Sequence, residues 1–263
     1  MHVVSHGQGD PVIIIHGLFG NLDNLKNLAL SLESHFTVYR FDVTNHGDSE
    51  HSDHMDYLTL ADDFIHFMDQ HGISKAHFVG HSMGGKIAMA IALQHPQKVS
   101  GLVVADIAPV AYQPRHGQVF NALTTMPFDS IRNRSDALAH MKQMGIDDGT
   151  AQFLLKNLKR IDSGFEWKMN LDGLLASYDD IIGWPFNQDN KDQLWSPYLS
   201  PCLFIRGGDS DYVQASHREQ ILAQFPQVTA KTLNGTGHWL HAQKPVIFNR
   251  LINEFFTQKI SKN

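Results

Sequence analysis

The sequence predicts an α/β protein: a mostly parallel central sheet flanked by helices, with a helical cap inserted between two of its strands. Three observations carry this reading. Short apolar runs of strand length alternate with segments of helical period. The runs are continuously apolar, as expected for strands buried on both faces of a parallel sheet. The alternation stops near Val110 and resumes near Pro201.

The elements follow in order. Val12-Ile13-Ile14-Ile15 reads as the first buried strand and ends in His16-Gly17. Residues 24–32 carry apolar side chains at helical spacing. Thr37 to Asp42 is the next strand, running into the turn-forming string Asn45-His46-Gly47-Asp48-Ser49. Residues 58–70 form a helix with Leu60, Phe64, Phe67 and Met68 on one stripe. Ala76-His77-Phe78-Val79 is a strand, Lys86 to Leu93 a helix, and Gly101 to Asp106 a strand. Strands alternating with helices imply right-handed crossovers. From Val110 to Leu199 helical periods replace strand runs, at Ser135–Met144, Ala151–Lys159 and Leu171–Asp179. A connection that long is not a structureless loop, so residues 110–199 are read as a cap over the strand ends. Residues 1–109 and 200–263 then form the core. Pro201 to Arg206 restarts the sheet, Val228 to Leu233 is the last strand, and residues 245–258 close the chain as a helix.

Composition narrows the function. The chain has 263 residues, 42% hydrophobic and 18% charged, which suits one α/β domain carrying an insertion. A net charge of −6 argues against nucleic-acid and anionic-membrane partners. No apolar run reaches the roughly 18 residues of a membrane span. The first residues lack a secretory pattern. The single cysteine, Cys202, lies in an apolar strand and reads as buried filler. A cytoplasmic enzyme acting on a small molecule is the expectation. The 17 histidines invite a metal reading, but they are scattered. His51 and His54, beside Asp53 and Asp56, read as a solvated loop, and no metal is expected.

The chemistry centres on Gly80-His81-Ser82-Met83-Gly84. Strand, sharp turn and helix with Ser at the apex is the nucleophile elbow. The helix N-terminus beside it favours developing negative charge. Ser82 is the candidate nucleophile. A hydroxyl nucleophile needs a base, an orienting acid and oxyanion donors. His238, in a Gly-flanked loop after the last strand, is the base candidate, with His241 as its rival. The backbone N–H of Met83 is the first expected oxyanion donor. The second is the N–H of Leu18, in the Gly-rich loop His16-Gly17-Leu18-Phe19-Gly20. His16 reads as a brace for that loop. Phe19, Phe120, Trp184 and Phe186 are the candidate substrate-binding side chains, and Met126 and Met144 are grouped with them. Lys86 reads as a snorkelled surface side chain, with a cap acid or an anionic substrate as the alternative partner.

These strings together resemble the α/β-hydrolase superfamily over nearly the whole chain. More narrowly, Asp42-Val43-Thr44-Asn45-His46-Gly47-Asp48-Ser49, Gly80 to Lys86, and Asp106-Ile107-Ala108-Pro109-Val110 resemble the YbfF-type esterases. That resemblance implies an α/β-hydrolase fold with the cap inserted after the sixth strand. It also implies a small cytosolic carboxylester hydrolase that accepts acyl-CoA thioesters and needs no cofactor. Asn45 and His46 resemble a structural loop bracing the site.

The same resemblance raises a problem with the acid. Most of the superfamily places it after the strand that follows the cap, in a G-x-x-D string. Here Gly207-Gly208-Asp209-Ser210-Asp211 puts Ser210 at that position. Asp209 and Asp211 are each one residue out of register, too far for the ~3 Å contact an imidazole needs. Asp106 is the alternative. It ends the strand after the elbow helix, where certain haloalkane dehalogenases and the YbfF-like group place the acid. It would otherwise be a partly buried carboxylate without a partner. Asp106 is therefore the expected acid, with Asp209 and Asp211 kept as rivals. Ester or thioester hydrolysis through an acyl-enzyme on Ser82 is the expected function. A C–C bond hydrolase or a cofactor-free peroxidase of the same fold is the alternative, and a catalytically dead binding protein a further one.

Overall fold

The computed structural model describes residues 1–186 and 195–260. The chain runs β1 (Val3–His6), β2 (Asp10–Ile15), α1 (Lys26–Leu32), β3 (Phe36–Phe41), α2 (Tyr57–Gln70), β4 (Ala76–His81), α3 (Met83–Gln94) and β5 (Val99–Ala105). Then come α4 (Gly117–Thr124), α5 (Arg134–Gln143), α6 (Asp148–Leu154), β6 (Leu158–Ile161), β7 (Gly164–Trp167), α7 (Leu171–Ala176) and α8 (Tyr178–Ile182). It closes with β8 (Cys202–Gly207), α9 (Arg218–Gln224), β9 (Val228–Leu233), α10 (Leu240–Gln243) and α11 (Pro245–Ile260).

Seven strands form one sheet in the order β1-β3-β2-β4-β5-β8-β9. Only β1 runs antiparallel, against β3. Every other pairing is parallel. Alternate residues along β2 explain why its run is apolar without a break. Ile13 and Ile15 join the core on the α2 and α3 face, while Val12 and Ile14 join the core with α1 and α11 on the other.

Three sequence expectations change. The insertion follows the fifth strand of this chain, not the sixth, because the leading edge of the sheet carries one antiparallel strand. That strand, β1, is short and half exposed, so it leaves no apolar run to read. The expected helix over 151–159 stops at Leu154, passes through a tight turn at Leu155–Asn157 and becomes a two-stranded hairpin, β6 with β7. Tertiary hydrogen bonds override its helical period. The buried Asn157 side chain donates to the Phe19 carbonyl (2.6 Å) and accepts from Asn21 (3.1 Å), turning the chain toward the loop after β2. The expected helix over 171–179 splits at Ser177 into α7 and α8. The bend presents the Tyr178 hydroxyl to the His116 N–H (3.1 Å) and imidazole (2.8 Å).

The C-terminal ends of β2, β4, β5, β8 and β9 lead into one crevice, the usual ligand site of an open parallel sheet. Among the described residues, the non-glycine positions at positive φ are Phe19 (59°), Asn45 (67°), Ser82 (54°) and Asp106 (52°). Phe19, Ser82 and Asp106 stand in loops at those strand ends, and Asn45 stands in the loop after β3. Three of the four positive-φ positions outside glycine among the described residues therefore border this crevice.

Candidate active site

Ser82 stands at the turn between β4 and α3 with φ 54° and ψ −122°. The turn is possible only with small neighbours. A Cβ on Gly80 would lie 2.0 Å from the Gly84 carbonyl oxygen, and one on Gly84 would lie 2.3 Å from that of Ile15. The backbone N–H of Ser82 is held by the Ala105 carbonyl (2.9 Å).

His238 follows β9. Its Nε2 lies 3.0 Å from Ser82 Oγ and its Nδ1 lies 2.8 Å from Asp106 Oδ2. The three predicted residues therefore form a continuous chain of hydrogen bonds. The Asp106 side chain is fully buried. Its charge is compensated by donors: the Gly207 N–H to Oδ1 (2.8 Å), and the Ser210 hydroxyl and His238 to Oδ2. Ser210, at the position the usual acid would occupy, donates a hydrogen bond to the acid instead. Asp209 is exposed, and Asp211 is exposed and paired with Arg115. Neither is hydrogen-bonded to His238. The rival base His241 is partly buried and makes no hydrogen bond to Ser82. Burial pushes its imidazole down to about 3.

His238 is fixed from several sides. Tyr212 stacks on its ring at 3.8 Å and 16°. The guanidinium of Arg115 lies over the Tyr212 ring, 4.3 Å from its centroid. His81 Nε2 lies 2.8 Å from the His238 carbonyl oxygen. Burial holds the His81 imidazole well below its ordinary range, so it is neutral and donates its one proton there. Sequence reasoning missed Tyr212 and the role of His81. The signal for Tyr212 was its place two residues beyond Ser210, in the loop that contacts the acid.

The loop after β2 is held as a rigid unit. The Phe19 N–H donates to His46 Nε2 (3.1 Å), and the Phe19 carbonyl accepts from Asn157 (2.6 Å). His46 Nδ1 lies 3.0 Å from the Thr44 carbonyl, which fixes the proton on Nδ1. His16 bridges the Gly17 carbonyl (2.8 Å) and the Val43 N–H (3.0 Å). Burial lowers both imidazoles, His46 to about 3. As neutral rings each can donate on one side and accept on the other. Among the described residues, no hydrogen bond engages the N–H of Leu18 or Met83. Both residues line a cavity shared with Ser82.

The substrate-binding expectations divide. Phe19 lines a cavity of about 220 Å³ beside Ser82 and His238. Phe120 does not reach it and packs behind Phe19, ring centroids 5.0 Å apart. Trp184 and Phe186 line a separate cavity of about 420 Å³ with Pro109 and Glu219. They turn away because Trp184 Nε1 is drawn to Gln224 Oε1 (3.0 Å). Met126 is buried and Met144 packs against the same core, and neither lines the cavities at Ser82.

Lys86 is also corrected. It is buried, not snorkelled to the surface. Its Nζ donates to the carbonyls of Ile182 (3.0 Å) and Gly183 (2.6 Å) at the end of α8. The rings of Tyr112, Tyr57 and Trp184 surround it at 4.9, 5.3 and 6.0 Å. Burial lowers its ammonium to about 7, while the carbonyls and ring faces favour the charged form.

The histidine-rich loop holds no metal set. His54 pairs with Asp56, which caps the N-terminus of α2. Among the described residues, His2, Asp42 and Asp48 are close enough to share an ion. Asp42 there accepts from His2 and from the Leu22 and Asp48 N–H groups, so its oxygens are already engaged.

The pattern of the family described as alpha/beta hydrolase fold matches residues 10–245. The chain belongs to this family. It is 39% identical to the esterase YbfF of Escherichia coli, over 94% of this chain and 93% of that protein. It is 36% identical to an sn-1-specific diacylglycerol lipase of Mus musculus, over 93% of this chain and 80% of that one. Among solved structures, a marine microorganism esterase superposes with a TM-score of 0.91 at 35% identity, covering 97% of this chain and 98% of the other. No helix among the described residues of this α/β hydrolase is long and apolar enough to cross a membrane.

Proposed function

We propose that the chain is a serine carboxylester hydrolase of the cytoplasm, with Ser82 as nucleophile, His238 as general base and acid, and Asp106 as the orienting carboxylate. One observation carries the mechanism: His238 lies between Ser82 Oγ at 3.0 Å and Asp106 Oδ2 at 2.8 Å. The family supplies the reaction class, because esterases and a lipase are aligned over nearly the whole chain.

Ser82 Oγ attacks the ester carbonyl carbon and its proton passes to His238 Nε2. The N–H groups of Leu18 and Met83 donate to the oxyanion. The carbon–oxygen bond to the leaving group breaks, and His238 returns the proton to that oxygen, releasing the alcohol. Water then attacks the acyl-enzyme and gives a proton to His238. The bond to Oγ breaks, Oγ is reprotonated, and the carboxylic acid leaves. Throughout, Asp106 keeps the second imidazole proton on Nδ1 and stabilises the imidazolium. A thioester follows the same steps with a thiol as leaving group, so the activity extends to acyl-CoA. No step calls on a metal or cofactor. Residues 110–199 act as the cap closing this site.

The test is labelling with a fluorophosphonate probe, with peptide mass spectrometry to locate the adduct. The adduct is expected on Ser82 and should vanish in Ser82→Ala. Labelling elsewhere, or hydrolysis of p-nitrophenyl acetate surviving in that variant, would refute the assignment.

A further inference from the structure

Two cavities of very unequal size open on Ser82. One, of about 30 Å³, is lined by Ser82, Met83 and Leu18 on one side and by Tyr57, Lys86 and Ile181 on the other. The second, of about 220 Å³, is lined by Ser82 together with His238, Trp239, Phe19, Val119 and Phe153. The smaller one does not include His238.

In the tetrahedral intermediate the three substituents on the carbon have fixed destinations. The oxyanion faces the two N–H donors. The leaving group must face His238 Nε2, because that nitrogen delivers its proton. The acyl chain takes the remaining direction. From this geometry we infer that the large cavity receives the leaving group and the small one the acyl chain, so that the substrates are short-chain acyl esters or thioesters of bulky alcohols or thiols. The small cavity has about a seventh of the volume of the large one, so it takes the shorter of the two groups. A short acyl group is assigned to the first, and a bulky alcohol or the end of a pantetheine arm to the second.

One part of the small cavity's lining, at residues 181–182, is held by hydrogen bonds and not only by apolar packing. The Tyr57 hydroxyl donates to the Ile181 carbonyl (2.5 Å). The Lys86 ammonium donates to the next two carbonyls, Ile182 and Gly183. The Tyr112 N–H also donates to Ile182 (2.9 Å). The end of α8 is thus fastened across the floor of the cavity by three donors. A longer acyl chain would have to break these bonds to pass. The large cavity is walled by Phe153, Leu154, Val119 and Trp239, whose side chains adjust at lower cost.

The inference rests on the serine esterase reading, and two substrate series separate them. With p-nitrophenol constant, kcat/KM should fall at least about tenfold from acetate to octanoate. With acetyl constant, kcat/KM should hold or rise from methyl to hexyl and benzyl acetate. A rise with acyl length in the first series overturns the partition while leaving the esterase reading intact. Turnover of no ester, with no fluorophosphonate adduct on Ser82, would instead refute the esterase reading. Ile181→Ala should raise octanoate relative to acetate at least about tenfold and leave the alcohol series unchanged. Phe153→Ala should alter the alcohol series alone. If the two variants exchange these effects, the orientation is reversed and the inference is wrong. Where Ile181→Ala folds poorly, Ile181→Val carries the same test, and the two wild-type series need no variant.

Discussion

Asp106→Asn should lower kcat by about 10⁴-fold, and the hydrogen bonds around the carboxylate show why. Oδ1 accepts the Gly207 N–H, and Oδ2 accepts from His238 and Ser210. An asparagine must place its oxygen at one position and its amide nitrogen at the other. Nitrogen at Oδ1 would oppose the Gly207 N–H, a backbone donor that cannot turn away. Nitrogen therefore takes the Oδ2 position, where the Ser210 hydroxyl can rotate to accept. Facing His238, that amide donates to Nδ1 and drives the imidazole proton to Nε2, toward Ser82. The base then has no lone pair for the nucleophile. The loss corresponds to about 5 kcal/mol of transition-state stabilisation. The assay is kcat for p-nitrophenyl acetate near pH 8, beside Asp209→Asn and Asp211→Asn. Those two should stay within about threefold of wild type, since one side chain is solvated and the other pairs with Arg115 on the surface. Activity of Asp106→Asn within tenfold of wild type, or a larger loss in either control, would refute the tautomer argument.

Three further outcomes follow from the surroundings of the site. Tyr212→Leu removes the ring stacked on His238 and should lower kcat about 3- to 10-fold; Tyr212→Phe keeps the ring and should remain near wild type in the same assay. Burial lowers the imidazoles of His16, His46, His81 and His241. Between about pH 6.5 and the folded-state values the unfolded chain binds more protons, so stability is complete above pH 6.5 and falls as the pH drops. Each such histidine contributes up to about 1.4 kcal/mol per pH unit. Thermal melts from pH 8 to 4 should therefore show a steep acid limb, shallower in His46→Gln, and an unchanged limb would contradict its role as a neutral acceptor. For Lys86, burial lowers the folded-state value to about 7. The unfolded chain again holds the extra proton, now between about pH 7 and the ordinary lysine range, so wild-type stability should rise with pH there. The melting temperature of wild type minus that of Lys86→Met should increase from pH 7 to 9; a flat difference would mean that the carbonyls and rings hold the ammonium charged.

Much of this arrangement was legible because local geometry dictates residue type. An elbow at φ 54° tolerates only glycine at positions 80 and 84, so its sequence string is nearly a drawing of its backbone. The buried strands of the sheet were legible as apolar runs because both faces are covered. Asp106 could be favoured as the acid, with Asp209 and Asp211 as rivals, since Ser210 occupied the usual position. What could not be read were contacts between distant segments. Nothing local in Lys86 distinguishes a surface lysine from one whose ammonium ends on two backbone carbonyls 96 and 97 residues away. The same holds for Asn157, which breaks an expected helix to reach the Phe19 carbonyl 138 residues back. Trp184 and Phe186 were plausible pocket residues by type alone, and type does not specify which cavity an aromatic ring faces.

These distant contacts share a pattern. The backbone of Phe19 is held on one side by His46 from the core and on the other by Asn157 from the segment between β5 and β8. On the opposite side of Ser82, Lys86 and Tyr57 from the core hold the end of α8 from that same segment. The strained turn at Ser82 is thus flanked by two clamps, each joining a residue before β5 to the segment between β5 and β8. Positive-φ residues cost energy and persist only where their surroundings over-determine them. Here the surroundings include the segment between β5 and β8. The segment between β5 and β8, proposed above as a cap, thus holds Phe19 next to the Leu18 N–H through Asn157, and it places Ile181 in the lining of the smaller cavity. On the proposed reading, oxyanion geometry and acyl selectivity are coupled through the docking of this one inserted segment.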